Sequence, residues 1–379
     1  MEKKAVITLA ERMVTLSDPR VIGRCDHDLV DIVVVALCAV LCGADGWDDI
    51  EEWGKEKQAW LRQYLKLRNG IAGHDTIRRV FEAISPQELE TRFVAWAEQM
   101  CGTPVARIIA IDGKSLRGSG SVTRGTRPIH MVSAYAAEYG LTLGQRTCQE
   151  KSNEITAIKE LLPTLKLEGA VVTIDAIGCQ TTIAQPIIDG KGDYVLAVKE
   201  NQPTLAEAIR QFFGGMGEGD MSGLACSVHE TVDKGHGRFE TRRCTAVGVD
   251  WLDAGLRARW PKLASIGRIE SQRECKGKIE TDVRYVISSL APEASRMLHA
   301  VRTHWGIENG LHWCLDVTFR EDASQIRLRN AAQNFSFLRR AAINLLRADS
   351  SRKDSLPKKR KAAAWNHEYL VQVLGLQRI

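Results

Sequence analysis

Two aspartates of this chain stand in matching settings. Asp112 closes the apolar run of VARIIAIDG and Asp175 closes that of GAVVTIDA, each followed by a small residue, Gly113 or Ala176. A third carboxylate, Glu308, lies midway between His304 and His312, a spacing that puts three polar groups along one helical stripe. Carboxylates brought together repel unless a cation sits between them. Hard oxygen donors of this kind suit Mg²⁺ or Mn²⁺ rather than zinc. Two such ions in one site can activate a water and stabilise a departing oxygen in phosphoryl transfer. Plainer readings stand beside this one. An Ile-Asp-Gly or Ile-Asp-Ala can simply open a turn or cap the next helix. The helix of Glu308 can be a packing element, with Trp305 and Leu311 burying on its other side and Trp313 nearby. Residue types alone leave both readings open.

If the aspartates act together, strands must place them. From 105 to 200 the texture is three strands, helix, strand, helix, strand. VARIIAID and GAVVTID read as strands buried on both faces, and a hairpin turns at Tyr139-Gly140. Ser152 or Asn153 is expected to cap a helix whose inner face is Ile155, Ile158, Leu161, Leu162 and Leu165. Ligands gather at the carboxyl ends of strands in open α/β sheets, which is where both aspartates fall.

Around this segment, residues 1–104 read as helical. Their stripe runs through Ile50, Trp53, Lys57, Trp60, Leu61 and Tyr64, and a later helix is expected to be capped by Asp75 or Thr76. Two helices about a glycine turn fit either a helix-turn-helix that reads DNA or a hairpin that merely packs. Residues 201–290 read as a β-rich insertion, 291–350 return to helix and carry Glu308, and 351–379 read as a basic tail.

The net charge is only +5, yet residues 291–379 hold fifteen Lys plus Arg against eight Asp plus Glu. Such a local excess suits a phosphate backbone and equally a solvated surface. Ten scattered cysteines, with no secretory signal read at Met1, are expected to be reduced thiols in a cytoplasm. The apolar run 29–41 is too short to cross a bilayer, so no membrane segment is expected.

Several stretches carry a more specific likeness: LCGADGWDDIEEWG, NGIAGHDTIRRVF, IAIDGKSLRGS, HMVSAYA, EKSNEITAI, VVTIDAIGCQ, DYVLAVKENQ, GHGRFETR and HWGIENGLHWCLDVTFREDASQIR. Through them the chain resembles insertion-sequence transposases of the DDE type, in the group that includes the H-repeat-associated proteins. The resemblance spans nearly the whole chain. It implies an α/β fold in which an RNase H-like catalytic domain is interrupted by the β-rich insertion and preceded by an α-helical domain. It further implies that Asp112, Asp175 and Glu308 are the catalytic residues and hold two Mg²⁺ or Mn²⁺ ions. The implied partner is double-stranded DNA, as element ends and as target, handled by a homodimer in the nucleoid of a bacterial cytoplasm. The chain departs from related transposases at the places of a Tyr, an Arg and a Lys around the glutamate, which here are Val301, His304 and Leu315. Lys114, His304 and His312 are therefore assigned to phosphates, with Arg327, Arg329, Arg339, Arg340 and the 352–361 segment along the backbone. Trp251 or Trp260 is expected to stack on an unpaired base or to lie in the core. A nuclease of the same fold and a catalytically silent DNA-binding descendant are the rival functions.

Overall fold

The computed structural model of the chain describes residues 12–376, apart from 22, 102–106, 122, 124, 149–152, 216–222, 236–237 and 276. Ser152, one of the two expected caps, lies outside the described residues, as does the boundary drawn at 104–105.

Five helices come first: α1 (Leu29–Cys42), α2 (Trp47–Glu56), α3 (Gln58–Leu61), α4 (His74–Ala83) and α5 (Pro86–Cys101). α1 is apolar all round because it is covered all round, with every residue from Asp31 to Leu41 buried. Its one carboxylate, Asp31, accepts the Leu67 N–H at 2.9 Å. The stripe expected over 50–64 is broken at Lys57, so it forms α2 and α3 rather than one helix. α4 starts after Gly73 without a side-chain cap. Asp75, expected to cap it, instead pairs with Arg78 at 2.9 Å inside the first turn.

The middle of the chain alternates strand and helix. In order come β1 (Ile108–Leu116), β2 (Ile129–Ala136), β3 (Leu141–Thr147), α6 (Glu154–Leu161), β4 (Val171–Ile174), α7 (Thr181–Asp189), β5 (Asp193–Val198) and α8 (Pro203–Gly215). Asn153 caps α6 by accepting the Thr156 N–H at 3.1 Å. β1, β4 and β5 run parallel, while β2 and β3 pair antiparallel on the other side of β1. Ile108–Ile111 and Val171–Ile174 are buried throughout, as strands covered on both faces must be.

The insertion supplies β6 (Cys226–Gly235), β7 (Arg238–Gly248), α9 (Ala254–Ala258), β8 (Ser265–Cys275) and β9 (Lys278–Ser288). It extends the sheet already built. β9 pairs antiparallel with β5, giving one sheet ordered β3-β2-β1-β4-β5-β9-β8-β7-β6. The near ends of these strands join the core through Ala246, Val247, Ile266 and Ile287, while Val232, Phe239, Ile279 and Val283 lie exposed farther out and Val228 is exposed on the edge strand. Trp260 is buried and Trp251 stacks on Phe212 with ring centroids 3.8 Å apart, so both tryptophans serve packing and neither offers a free face for a base.

α10 (Ala294–His304), α11 (Ala331–Ala348), α12 (Leu356–Trp365) and α13 (His367–Leu374) follow. α11 ties the two ends of the chain together. Phe335 meets Trp47 at 5.0 Å, Phe337 meets Phe93 at 5.3 Å, and the Asn334 amide donates to the Phe81 and Ile84 carbonyls. The stretch expected to be a basic tail is helical and packed. Lys359, 8% exposed, donates to the Leu346 carbonyl at 3.0 Å, answering a backbone group left open at the end of α11. Arg360 lies 4.2 Å over the Phe319 ring and donates to the Val40 carbonyl. Among the described residues no single helix is long and apolar enough to cross a membrane.

A candidate metal site at the strand ends

Parallel pairing sets Ile111 beside Ile174, so the next residues, Asp112 and Asp175, leave neighbouring strands side by side. Asp112 is still within β1, opposite Ser133 of β2. Asp175 lies just past β4, where its carboxylate accepts the Ile177 N–H at 3.1 Å and caps a short 3₁₀ turn. The turn-opening reading of Asp175 is thus locally true, and it still leaves the carboxylate facing the same strand-end space.

The opposite side of the site comes from the chain after α10. Glu308–His312 and Cys314–Thr318 form π-helical turns, bonded i to i+5 rather than i to i+4. The wider turn carries Glu308 and His312 round to almost the same azimuth. His312 Nδ1 lies 3.4 Å from Glu308 Oε2 and 3.6 Å from Asp112 Oδ2. One ligand atom from each of Asp112, Glu308 and His312 lies within 4.8 Å of the other two. The stripe expected to include His304 is corrected here. His304 ends the α-helical part, near enough for Glu308 and His312 to act on it, but its Nδ1 sits 3.1 Å from Thr173 Oγ1 on β4 and it is not one of the grouped ligand residues.

Two contacts hold the π turn. A Cβ at Gly310 would lie 2.3 Å from Tyr135 Oη, so only glycine lets the turn approach β2 this closely. A π turn also leaves carbonyls without helical donors, and Arg347 of α11 answers one of them by donating to the Gly310 carbonyl. The same guanidinium donates to Tyr135 Oη at 2.7 Å and to the Gly140 carbonyl at 2.6 Å.

Burial, aided by the charges of Glu308, Asp175 and Glu154, pushes the Asp112 carboxyl up to about 7. Asp175 is raised by burial and by Glu154. Burial pushes His304 and His312 down to about 4, so both are neutral imidazoles at neutral pH. Sequence reasoning missed Glu154 and His130. Glu154 opens α6 with its carboxylate 3.0 Å from His130 Nε2 on β2, and that hydrogen bond raises the His130 pKa. Both lie within the stretches EKSNEITAI and HMVSAYA, the signal that could have found them. Carboxylates gathered round the raised Asp112, joined by a neutral imidazole, form a donor set that fits a divalent cation.

The basic residues expected on phosphates divide sharply. Arg339 and Arg340 are buried at 2% and 0% exposure. Arg340 pairs with Glu321 at 3.0 Å, and Arg339 lies 4.4 Å over the Phe335 ring. Burial alone would raise the Glu321 carboxyl, but Arg340, Arg339 and Lys114 hold it below the usual range. Neither arginine is placed to meet DNA. Lys114 is likewise enclosed, bridging Asp316 at 2.8 Å and Asp322 at 2.6 Å. His304 and His312 are also largely buried, His304 on the wall of the strand-end pocket and His312 beside Asp112 and Glu308. Arg327 donates to the Gly118 carbonyl at 2.9 Å, and Arg329 is exposed.

The tryptophans reverse their expected roles. Leu311 is buried as anticipated, whereas Trp305 and Trp313 are 46% and 53% exposed. Arg284 of β9 stacks 4.8 Å over Trp305. Together with Asp175, Lys199 and His304 these two residues line a pocket at the strand ends.

With this arrangement in view, the comparisons are decisive. A family model described as a transposase DDE domain matches residues 103–345, and a second, described as DDE_Tnp_1-associated, matches residues 10–97. The chain belongs to the DDE transposase family. Within that family it is 40% identical over 374 residues to "Putative transposase YncI" of Escherichia coli O157:H7, covering 98% of this chain and 95% of that one. It is 39% identical to the "H repeat-associated putative transposase YhhI" of Escherichia coli strain K12, covering 97% of each. A solved piggyBac transposase synaptic complex with hairpin DNA aligns over 96% of this chain and 75% of that one, at 9% identity and a TM-score of 0.42. The DDE domain match runs from just before β1 almost to the end of α11, and so takes in Asp112, Asp175 and Glu308 together with the clamp around Gly310.

Proposed function

We propose that this chain is a DNA transposase that cleaves phosphodiester bonds at the ends of an insertion sequence and joins them to target double-stranded DNA. The observation that supports the reading is the pairing of Ile111 with Ile174, after which Asp112 in β1 and Asp175 just past β4 follow on neighbouring strands, with Glu308 and His312 grouped about Asp112. The catalytic part is read as an RNase H-like domain whose sheet the insertion lengthens, and the N-terminal helices as a DNA-associated domain. Asp112, Asp175 and Glu308 would hold two Mg²⁺ or Mn²⁺ ions, which when bound supply water activation and stabilisation of the leaving 3′ oxygen.

The chain's own groups do the rest. The β1–β4 ladder holds the two aspartates at strand spacing, about 4.8 Å between neighbouring strands. Arg347 and Gly310 hold Glu308 against them. The Arg284–Trp305 stack and Lys199 present a cationic, aromatic wall beside Asp175, suited to the backbone and bases near a cut end. No side chain is required as a covalent nucleophile, because the 3′-hydroxyl released by cleavage attacks the target. Pairing two ends makes a homodimer the working assembly.

The test is incubation of the full chain with labelled element ends, a target plasmid and Mg²⁺. Joined product supports the proposal. Cleavage without joining would mark a nuclease, and binding without either would mark a silent DNA-binding protein. Unimpaired cleavage by Asp112→Asn, Asp175→Asn and Glu308→Gln would sink the three-carboxylate site.

A further inference from the structure

We infer that His312 is itself a ligand, through Nδ1, of the cation held between Asp112 and Glu308, and that this position takes Mn²⁺ in preference to Mg²⁺. The inference rests on the metal-dependent reading above and adds a nitrogen to what would otherwise be an all-oxygen site.

The distances carry it. At 3.4 and 3.6 Å from the two carboxylate oxygens, Nδ1 lies beyond the roughly 2.7–3.2 Å of a good N–H···O bond. The 3.4 Å gap instead matches the edge of a coordination shell, and the 3.6 Å gap lies just beyond it. Metal–ligand bonds of about 2.1 Å put neighbouring donor atoms roughly 3.0–3.4 Å apart. The ring is 5% exposed, and its Nε2 is buried with no hydrogen-bond partner among the described residues. A neutral imidazole has one N–H and one lone pair. With Nδ1 as donor, both contacts are too long and the Nε2 lone pair is unanswered. With Nδ1 as acceptor, its lone pair faces two carboxylate oxygens. Either arrangement leaves buried polar atoms uncompensated, and in the second a cation on Nδ1 answers both the lone pair and the carboxylate oxygens it faces, leaving only Nε2–H without a partner among the described residues.

The neighbouring histidines differ. His304 Nδ1 has Thr173 Oγ1 at 3.1 Å and His130 Nε2 has Glu154 at 3.0 Å. His312 alone belongs to the described group of ligand atoms within 4.8 Å. Its backbone is pinned by the π turn, with Gly310 against Tyr135 and the Gly310 carbonyl bound by Arg347. Imidazole nitrogen is a poorer donor for Mg²⁺, which favours oxygen and keeps its waters, than for Mn²⁺, which stands on the transition-metal affinity series.

The test is pulsed electron paramagnetic resonance on the full chain loaded with Mn²⁺. The expected result is nuclear modulation from a directly bound ¹⁴N, replaced by the ¹⁵N pattern when the protein is grown on ¹⁵N-labelled histidine. The signal should vanish in His312→Gln and persist in His304→Gln. Mn²⁺ affinity should fall on the order of tenfold or more in His312→Gln, with a smaller loss for Mg²⁺. Bound Mn²⁺ without nitrogen modulation in the wild-type chain overturns the inference and leaves the carboxylate site standing, and this arm needs no variant to fold. Persistence of the modulation in His312→Gln overturns it as well. Failure of Mn²⁺ to bind at all would remove both the inference and the metal-dependent function beneath it.

Discussion

The two sides of the site are held in place by different physics. On the strand side, Asp112 and Asp175 inherit their positions from a hydrogen-bonded ladder, and the pairing of Ile111 with Ile174 leaves them no other spacing. On the helical side, Glu308 and His312 owe theirs to a π turn that is intrinsically unfavourable. That turn persists through contacts from elsewhere, Tyr135 beneath Gly310 and Arg347 on its carbonyl. A ladder spreads its hold over several backbone pairs. A clamped turn depends on residues distant in the chain, and the helical half is therefore where the site can be loosened without touching a ligand.

The sharpest way to break the comparison is to remove a ligand from each side. Asp112→Asn and Glu308→Gln should each lower Mg²⁺-dependent cleavage of labelled ends by on the order of 10³-fold or more. A much milder effect for Glu308→Gln would show that the helical side does not share the chemistry.

Next come the clamps. Gly310→Ala forces a Cβ to within 2.3 Å of Tyr135 Oη unless something shifts. Cleavage should drop roughly 10–100-fold, the scale of a small misplacement of a reacting group. Tyr135→Phe, which removes the nearest clashing atom, should restore part of the loss. Arg347→Met should act in the same direction and lower stability by about 1–3 kcal/mol, because it strands the half-buried Gly310 and Gly140 carbonyls. Denaturant unfolding measures that arm. Full activity in both Gly310→Ala and Arg347→Met would mean that the turn needs no clamp.

A pH titration sharpens the strand side. With its carboxyl raised to about 7, Asp112 keeps its proton below that value, and a cation must displace it. Mg²⁺ affinity should climb about tenfold per pH unit up to about 7 and level off above, as followed by calorimetry. The metal-free protein behaves in the opposite sense. A folded pKa above the unfolded value gives stability that is present below about pH 4 and is lost as pH rises through about 7. Asp112→Asn should therefore gain over wild type across that window, by roughly 2–4 kcal/mol once it is complete. A flat difference between pH 4 and 8 would show that Asp112 is ionised throughout.

The smallest effect is expected beside the site. Trp305→Ala should weaken binding of a frayed DNA end by about tenfold, in keeping with 1–3 kcal/mol per stacked base, and leave Mn²⁺ affinity unchanged. An equal loss in both would place Trp305 in the support of the metal site.

The strand side was legible because both faces of its strands are buried, and an apolar run ending in Asp says as much without knowledge of any partner. Asn153 and the hairpin at Gly140, with its φ of +69°, were legible for similar reasons of local chemistry. The helical side was legible only in part. Nothing in HWGIENGLHW announces a π turn, since one of the contacts that hold it is an arginine thirty-seven residues onward. Arg339 and Arg340 read as surface charge because their enclosure depends on Glu321, which no helical periodicity links to them. Trp305 and Trp313 were read as buried because aromatic residues at helical spacing look like core, yet both are exposed. Trp251 and Trp260 found Phe212 and the sheet, while Trp305 found Arg284.

The shared core of α1, α5, α11, α12 and α13 also dictates when the protein becomes a protein. α1 is a fourteen-residue segment with almost no polar face, and much of its cover, α11 and α12, comes from far along the chain. A nascent chain halted before residue 331 would expose the side of α1 that α11 and α12 cover. Such fragments should be recognised by chaperones and degraded rather than survive as competitors for DNA ends. An early stop or a shifted reading frame would then silence the gene without leaving a folded remnant.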